Sequence, residues 1–178
     1  MTNTISAQLS DPRFDYILPE DKEFIARFDD EMEASGYSAN GVITPGYAGA
    51  PGWGKYMLIY AKVGVKSKQI AARIYLRNDG TILRLFLNNI DKHAAFIENA
   101  PEYIRAVFDK GFYDCCHCAS KPNGICNFRK SYTLNGELRE KCSGEVFQFF
   151  KPGIEKLSAY MDLFREFYPV RSKRSLLR

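Results

Sequence analysis

The residues with the clearest chemical potential are five cysteines, all in the segment 115–142. Cys115 and Cys118 have the C-x2-C spacing at which one turn can direct two thiolates at a tetrahedral ion. Cys126 and Cys142 follow at wider spacings. The pattern predicts a structural zinc site formed by these four cysteines. A closed site of four sulfurs stabilises a fold and leaves no position for a reacting water.

The cysteine pattern has alternatives, because its second half lacks a C-x2-C pair and because Cys116 and His117 are competing ligands. The other two hypotheses are that the cysteines are free thiols, or that they form one or two disulfides. Clustering in a chain without an export signal favours metal or redox chemistry over secreted-type disulfides. A thiol-dependent enzyme would use Cys116, which the metal does not need.

Other catalytic patterns are weak. The segment 49–55 satisfies G-x4-G-K, but Tyr56 stands where a phosphate-binding loop needs a serine or threonine. His93 falls in the first turn of a predicted helix, where a solvated or capping role is expected. The sequence therefore favours a protein that is not an enzyme.

A predicted hairpin supplies the candidate binding residues. Asp79-Gly80 separates two runs of alternating polarity, which is a strong hairpin signal. With these two residues as the turn, the aliphatic pairs are Leu76–Leu83, Ile74–Leu85 and Ala72–Leu87. The pairs on the other face are Arg77–Ile82, Tyr75–Arg84 and Arg73–Phe86. One face of the hairpin is therefore aliphatic, and the other combines guanidinium groups with aromatic rings.

This second face predicts a site for an anionic, partly apolar ligand, through charge-assisted and cation–π contacts. The predicted ligand-binding residues are Arg73, Tyr75, Arg77, Arg84 and Phe86, with Trp53 on a glycine-rich loop that could close over them. In the alternative interpretation, helices cover the rings, and the arginines reach solvent or pair with the acidic first helix.

The remaining pattern positions these residues in an α+β fold with an antiparallel meander sheet, a Cys-rich loop and a second hairpin. A helix is predicted from Pro19 to a stop at Ser35-Gly36, and an irregular loop over 36–54. Further predicted elements are a helical stretch over 91–108 broken at Pro101, a hairpin at Asn135-Gly136 that puts Cys142 opposite Arg129, a strand over 146–150 and a helix over 152–168.

Composition and charge bound the class of protein. The 178 residues, 46% hydrophobic and 26% charged, predict one domain over 1–178, with an ordered core over 15–169. Residues 1–34 hold nine acidic residues and three basic ones, a net charge of −6. Because the whole chain has a net charge of +4, residues 35–178 carry +10. The basic tail over 170–178 is too weak a signal to favour nucleic-acid binding. No apolar run is long enough for a membrane span, and a cytoplasmic location is expected.

Four segments resemble a family of small bacterial proteins whose function is uncharacterised. They are Trp53-Gly54-Lys55-Tyr56, the stretch 85–93 (LFLNNIDKH), the cysteine cluster, and Glu166-Phe167-Tyr168-Pro169. The resemblance covers most of the chain from about residue 15. The order of elements is more loosely similar to YdhG-like and YjbR-like α+β domains, from which the cysteine insertion departs. The resemblance implies a fold and carries over no catalytic residue.

Together these observations predict a zinc-stabilised module that binds a small anionic ligand or a protein partner. The alternatives are a nucleic-acid-associated protein, which would use the basic tail and the same zinc module, and a thiol-dependent enzyme.

Overall fold

A computed structural model describes residues 4–46, 54–109, 129–142 and 146–169. Over these ranges the α-helices are α1 (Ile5–Leu9), α2 (Pro19–Ala34), α3 (Ala94–Glu98), α4 (Glu102–Asp109) and α5 (Leu157–Phe167). The strands are β1 (Tyr37–Ser38), β2 (Thr44–Pro45), β3 (Tyr56–Lys62), β4 (Ile70–Leu76), β5 (Ile82–Phe86), β6 (Arg129–Leu134), β7 (Glu137–Cys142) and β8 (Val146–Phe150). Short 3-10 turns cover Pro12–Phe14, Ile90–His93 and Ile154–Lys156.

The main sheet has the strand order β1-β3-β4-β5-β8, and β2 also pairs with β3. Every pairing in it is antiparallel. Strands β6 and β7 form a separate two-stranded sheet. The predicted α+β class with an antiparallel sheet is confirmed.

Helix α2 begins and ends where its sequence signals predict. Pro19 occupies the first helical position, where its missing N–H costs no hydrogen bond. Gly36 follows the helix with a φ of +82°, a left-handed conformation that glycine adopts without strain. The predicted apolar stripe of Phe24, Ile25, Phe28 and Met32 is fully buried.

The helices pack on one face of the sheet and form the core with it. Phe28 of α2 contacts Tyr60 of β3 edge to face at 5.3 Å, and Tyr160 of α5 lies 4.9 Å from Phe149 of β8, measured between ring centroids. The strand residues of this face include Leu83 and Leu85, each with no exposed surface. Within the described ranges, no helix combines the length and the apolar character that a membrane span requires.

The predicted register of the first hairpin is wrong by two residues. Ile74 lies opposite Leu83, and Ala72 opposite Leu85. The residues between the strands are 77–81, and the turn is centred on Asn78-Asp79 instead of Asp79-Gly80: the Gly80 N–H donates to the Arg77 carbonyl (3.5 Å). Thr81, just after the turn, is held from outside the hairpin: its N–H donates to the buried Asp21 of α2 (3.4 Å), and its carbonyl accepts from the Lys151 N–H (2.9 Å).

The register of the second hairpin is confirmed. Asn135 and Gly136 have φ values of 51° and 75°, the two left-handed positions that a type I′ turn requires. Leu134 lies opposite Glu137, and Arg129 opposite Cys142. The N–H groups of Thr133 and Asn135 donate to Asp91 (2.8 Å) and Glu98 (2.5 Å). These contacts attach the hairpin to the segment before α4.

The other predicted elements agree in outline with the structure. The stretch over 90–109 is two short helices on either side of Pro101, and β8 has the predicted bounds. The last helical segment begins with a 3-10 turn and continues as α5. The irregular loop over 36–54 was predicted too broadly, because β1 and β2 pair with the two ends of β3 inside it.

Candidate functional site

Within the described ranges, the helices pack on the first face of the sheet, and the predicted binding residues lie on the second face. Tyr75 and Ile82 are nearly inaccessible there, 1% and 4% exposed, and form a small apolar cluster with Met57. Arg73, Arg84 and Phe86 are half-buried beside them. A two-residue shift keeps every side chain on its own face, so the wrong register still grouped the right residues. We call Arg73, Tyr75, Arg84 and Phe86 the arginine face.

The observed register places Arg73 directly opposite Arg84 across β4 and β5. Each guanidinium lies over a ring of the neighbouring strand. The Cζ atom of Arg73 is 5.4 Å from the centroid of Phe86, and that of Arg84 is 5.1 Å from the centroid of Tyr75. Nη1 of Arg73 also donates to the Tyr75 hydroxyl at 3.4 Å. Two positive charges are thus held side by side between two aromatic rings.

The electrostatics of this pair favour an anion. Burial lowers the pKa of Arg84, and the neighbouring charge of Arg73 lowers it further, while Tyr75 opposes both effects. Like charges directly opposite each other in a sheet are destabilising. The described strand positions of this face carry no Asp or Glu, and Gln148 of β8 is the next residue in the row beyond Arg84. Within the described chain, the buried Nε of Arg73 has no hydrogen-bond partner.

Two predicted ligand-binding residues stand apart from this pair. Arg77 makes a forked ion pair with Asp79 of the connecting loop, with Nε–Oδ1 and Nη2–Oδ2 distances of 2.7 and 2.5 Å. Its charge is therefore largely compensated within its own loop. Trp53 lies outside the described residues. The acidic helix α2 packs on the opposite face of the sheet. It therefore does not pair with Arg73 and Arg84, as the alternative interpretation of the sequence expected.

The predicted zinc ligands fall mostly beyond the described ranges. Cys115, Cys118 and Cys126 lie outside them, and Cys142 is placed by its backbone, at the open end of the second hairpin opposite Arg129. Among described residues, no group of three or more His, Cys, Asp or Glu side chains is arranged to hold a metal ion. The zinc site stays a prediction, as do the roles of Cys116 and the basic tail.

His93 has neither the solvated nor the capping role expected from the sequence. Its side chain is 21% exposed, and Nδ1 lies 2.8 Å from Oε1 of Glu166 in α5. The ring packs against Phe167 at 4.0 Å between centroids. His93 therefore joins the 3-10 turn before α3 to the end of the last helix.

Asp29 of α2 is half-buried, a feature that was not predicted from the sequence. Burial raises its pKa to about 6, the nearby carboxylates of Glu33 and Asp30 add to the shift, and the Tyr60 hydroxyl opposes it. Neither Oδ1 of Asp29 nor that hydroxyl has a well-aligned hydrogen-bond partner within the described chain. The spacing of residues in α2 could have indicated this burial, because Asp29 lies four residues after Ile25 and therefore beside the buried stripe of the helix.

Comparisons of this chain with protein-family models, curated proteins and solved structures found no match. The family resemblance of the four segments therefore stays a prediction.

Proposed function

We propose that this protein is a binding module for a small ligand that combines an anionic group with an apolar body, held on the arginine face. The observation that carries the proposal is the placement of Arg73 opposite Arg84, with each guanidinium over an aromatic ring. A carboxylate, sulfonate or phosphate between the two guanidiniums would relieve their mutual repulsion and accept forked hydrogen bonds from them.

The apolar part of such a ligand has a defined place beside the arginines. Two half-buried apolar side chains adjoin the arginines: Ile59 lies opposite Arg73 in β3, and Phe86 lies under the Arg73 guanidinium. The buried cluster of Met57, Tyr75 and Ile82 lies in the next row of the same face. Because Tyr75 is only 1% exposed, its ring supports Arg84 rather than stacking on a ligand. This burial makes the face a poor platform for successive nucleic-acid bases, which need exposed rings.

We also propose that zinc bound by Cys115, Cys118, Cys126 and Cys142 stabilises the module. The confirmed register of the second hairpin supports this, because it puts Cys142 opposite Arg129, three residues after Cys126. Protein-partner binding, nucleic-acid association through the basic tail and thiol chemistry at Cys116 stay alternatives, and the last two depend on residues outside the described ranges.

Binding of naphthalene-2-sulfonate, followed by calorimetry and by the fluorescence of Trp53, tests the main proposal. The neutral naphthalene-2-sulfonamide has the same rings and serves as the matched probe. We expect the sulfonate to bind more tightly, and Arg73→Ala and Arg84→Ala each to weaken it about tenfold or more, the effect of one charge-assisted contact.

Arg13→Ala is the matched protein control, because Arg13 also lies over an aromatic ring, 4.8 Å from the centroid of Phe14, but away from the arginine face. It should leave sulfonate affinity unchanged. Equal affinity for the two probes, or equal losses in all three variants, would contradict the proposal. Salt-dependent binding of single-stranded DNA that survives Arg73→Ala would instead favour the nucleic-acid alternative.

A further inference from the structure

A groove of about 770 Å³ lies on the helical side of the molecule, between the corner that joins α3 to α4 and the exposed side of α5. Its lining comes from α3, the corner at Ala100 and Pro101, the first turn of α4, and α5. Its volume is within the range of small-molecule sites in proteins. The groove is separate from the arginine face, which lies on the other side of the sheet.

The floor of the groove is apolar and built largely from small side chains. The chain turns at Ala100 and Pro101, and Ala159 of α5 faces this turn across the groove. Ile104 is 1% exposed at the base, and Phe96 is half-buried at the side. The small side chains leave space for one compact apolar group.

The rim along α5 is negative. Asp162 and Glu166 are one helical turn apart and both line the groove. Arg165 lies between them in sequence, but its Nη2 is 2.5 Å from Oε2 of Glu31 in α2, so its charge is already compensated. Glu166 is hydrogen-bonded by His93 and Asp162 is exposed to solvent. Apart from the Arg165–Glu31 pair, the rim therefore carries the two carboxylates of Asp162 and Glu166.

We propose that this groove binds a small organic cation, a primary ammonium group attached to a compact aromatic or branched apolar body. The ammonium would lie between Asp162 and Glu166, and the apolar body would occupy the recess at Ala100 and Ala159. The end of α5 adds to the attraction, because the carbonyl end of a helix dipole favours positive charge. The site is independent of the proposed anion binding and does not depend on its outcome.

Three probes of nearly equal size separate charge from shape: 2-phenylethylammonium, neutral 2-phenylethanol and anionic 3-phenylpropionate. Backbone amide shifts of the isotopically labelled protein measure both affinity and location. We expect the ammonium to shift resonances within 95–104 and 159–166, and the other two probes to bind about tenfold more weakly or worse.

Protein variants test the same assignment. Asp162→Asn should weaken the ammonium probe about tenfold, the effect expected for one charge-assisted contact, whereas Asp15→Asn, an exposed carboxylate elsewhere, should not. Ala95→Trp should block the groove, and because Ala95 is exposed, the larger ring can be accommodated without disturbing the core. The proposal is overturned by equal binding of the alcohol, by full affinity in Asp162→Asn, or by the lack of a saturable shift at millimolar ammonium.

Discussion

Leu85 and Arg84 are adjacent in β5 but face opposite sides of the sheet, and their substitutions should differ in cost. Leu85 has no exposed surface and lies between Ala72 and Phe147 of the neighbouring strands. Leu85→Ala should lower the free energy of unfolding by roughly 2–5 kcal/mol, since it removes buried methyl groups and leaves a cavity. Arg84→Ala should cost far less.

Urea unfolding of both variants gives the comparison directly. Small and similar losses at the two positions would contradict the placement of Leu85 in the core.

Asp29 should make stability depend on pH in a definite direction. Its pKa of about 6 in the folded chain exceeds the ordinary value of 3.8, so the folded state holds its proton over the range in which the unfolded chain has lost it. The contribution of this group to stability is therefore largest below about pH 4 and declines as the pH rises through about 6.

Asp29→Asn removes this titration. The variant should be more stable than the parent protein at pH 7.5, and the difference should shrink towards pH 4.5. Urea unfolding at both pH values measures it, with the exposed Glu23→Gln on the same helix as control. A pH dependence that is identical in Asp29→Asn and the parent would show that Asp29 is not the group responsible.

At the scale of elements, the register of the first hairpin decides which charges face each other. Strands β3 and β8 flank β4 and β5, and β8 places Phe149 opposite Leu83 and Phe147 opposite Leu85. The local turn sequence allows a turn centred on Asp79-Gly80 or one centred on Asn78-Asp79. The pairing with neighbouring strands and the contacts of Thr81 with Asp21 and Lys151 favour the turn centred on Asn78-Asp79.

A charge reversal tests this register. Because Arg73 lies opposite position 84, Arg84→Glu should be more stable than Arg84→Gln by about 0.5 kcal/mol, the usual size of a cross-strand ion pair. The gain should vanish in an Arg73→Gln background. Thermal unfolding of the four variants forms a double-mutant cycle. A gain that persists without Arg73 would show that it does not come from a pair between positions 73 and 84, and would contradict the observed register.

At the scale of the whole molecule, the zinc proposal concerns how the second hairpin and the cysteine segment are stabilised. Protein purified without added metal should contain about one zinc per chain, and a chelator should lower its melting temperature. Cys142→Ser should abolish the bound zinc, whereas Cys116→Ser, at the cysteine that the site does not need, should retain it. Metal-free protein with five titratable thiols and an unchanged melting temperature would exclude the site.

Local signals in the sequence determined the α+β class and several boundaries. Pro19 and Gly36 set the limits of α2, and Asn135-Gly136 specified the second hairpin with its register, because a type I′ turn admits few residues and one pairing. Alternation of side chains also identified the members of the arginine face.

Only the tertiary structure decided which of those members meet, and it revealed the half-buried Asp29 and the groove beside α5. Side chains in a strand alternate with a period of two, so a shift of two residues in the pairing leaves the residues of both faces unchanged. The sequence pattern of the two strands therefore fits both registers equally well. Contacts with the flanking strands and with α2 remove that degeneracy. The predicted register placed Arg73 and Arg84 each opposite an aromatic residue, whereas in the observed register Arg73 lies opposite Arg84.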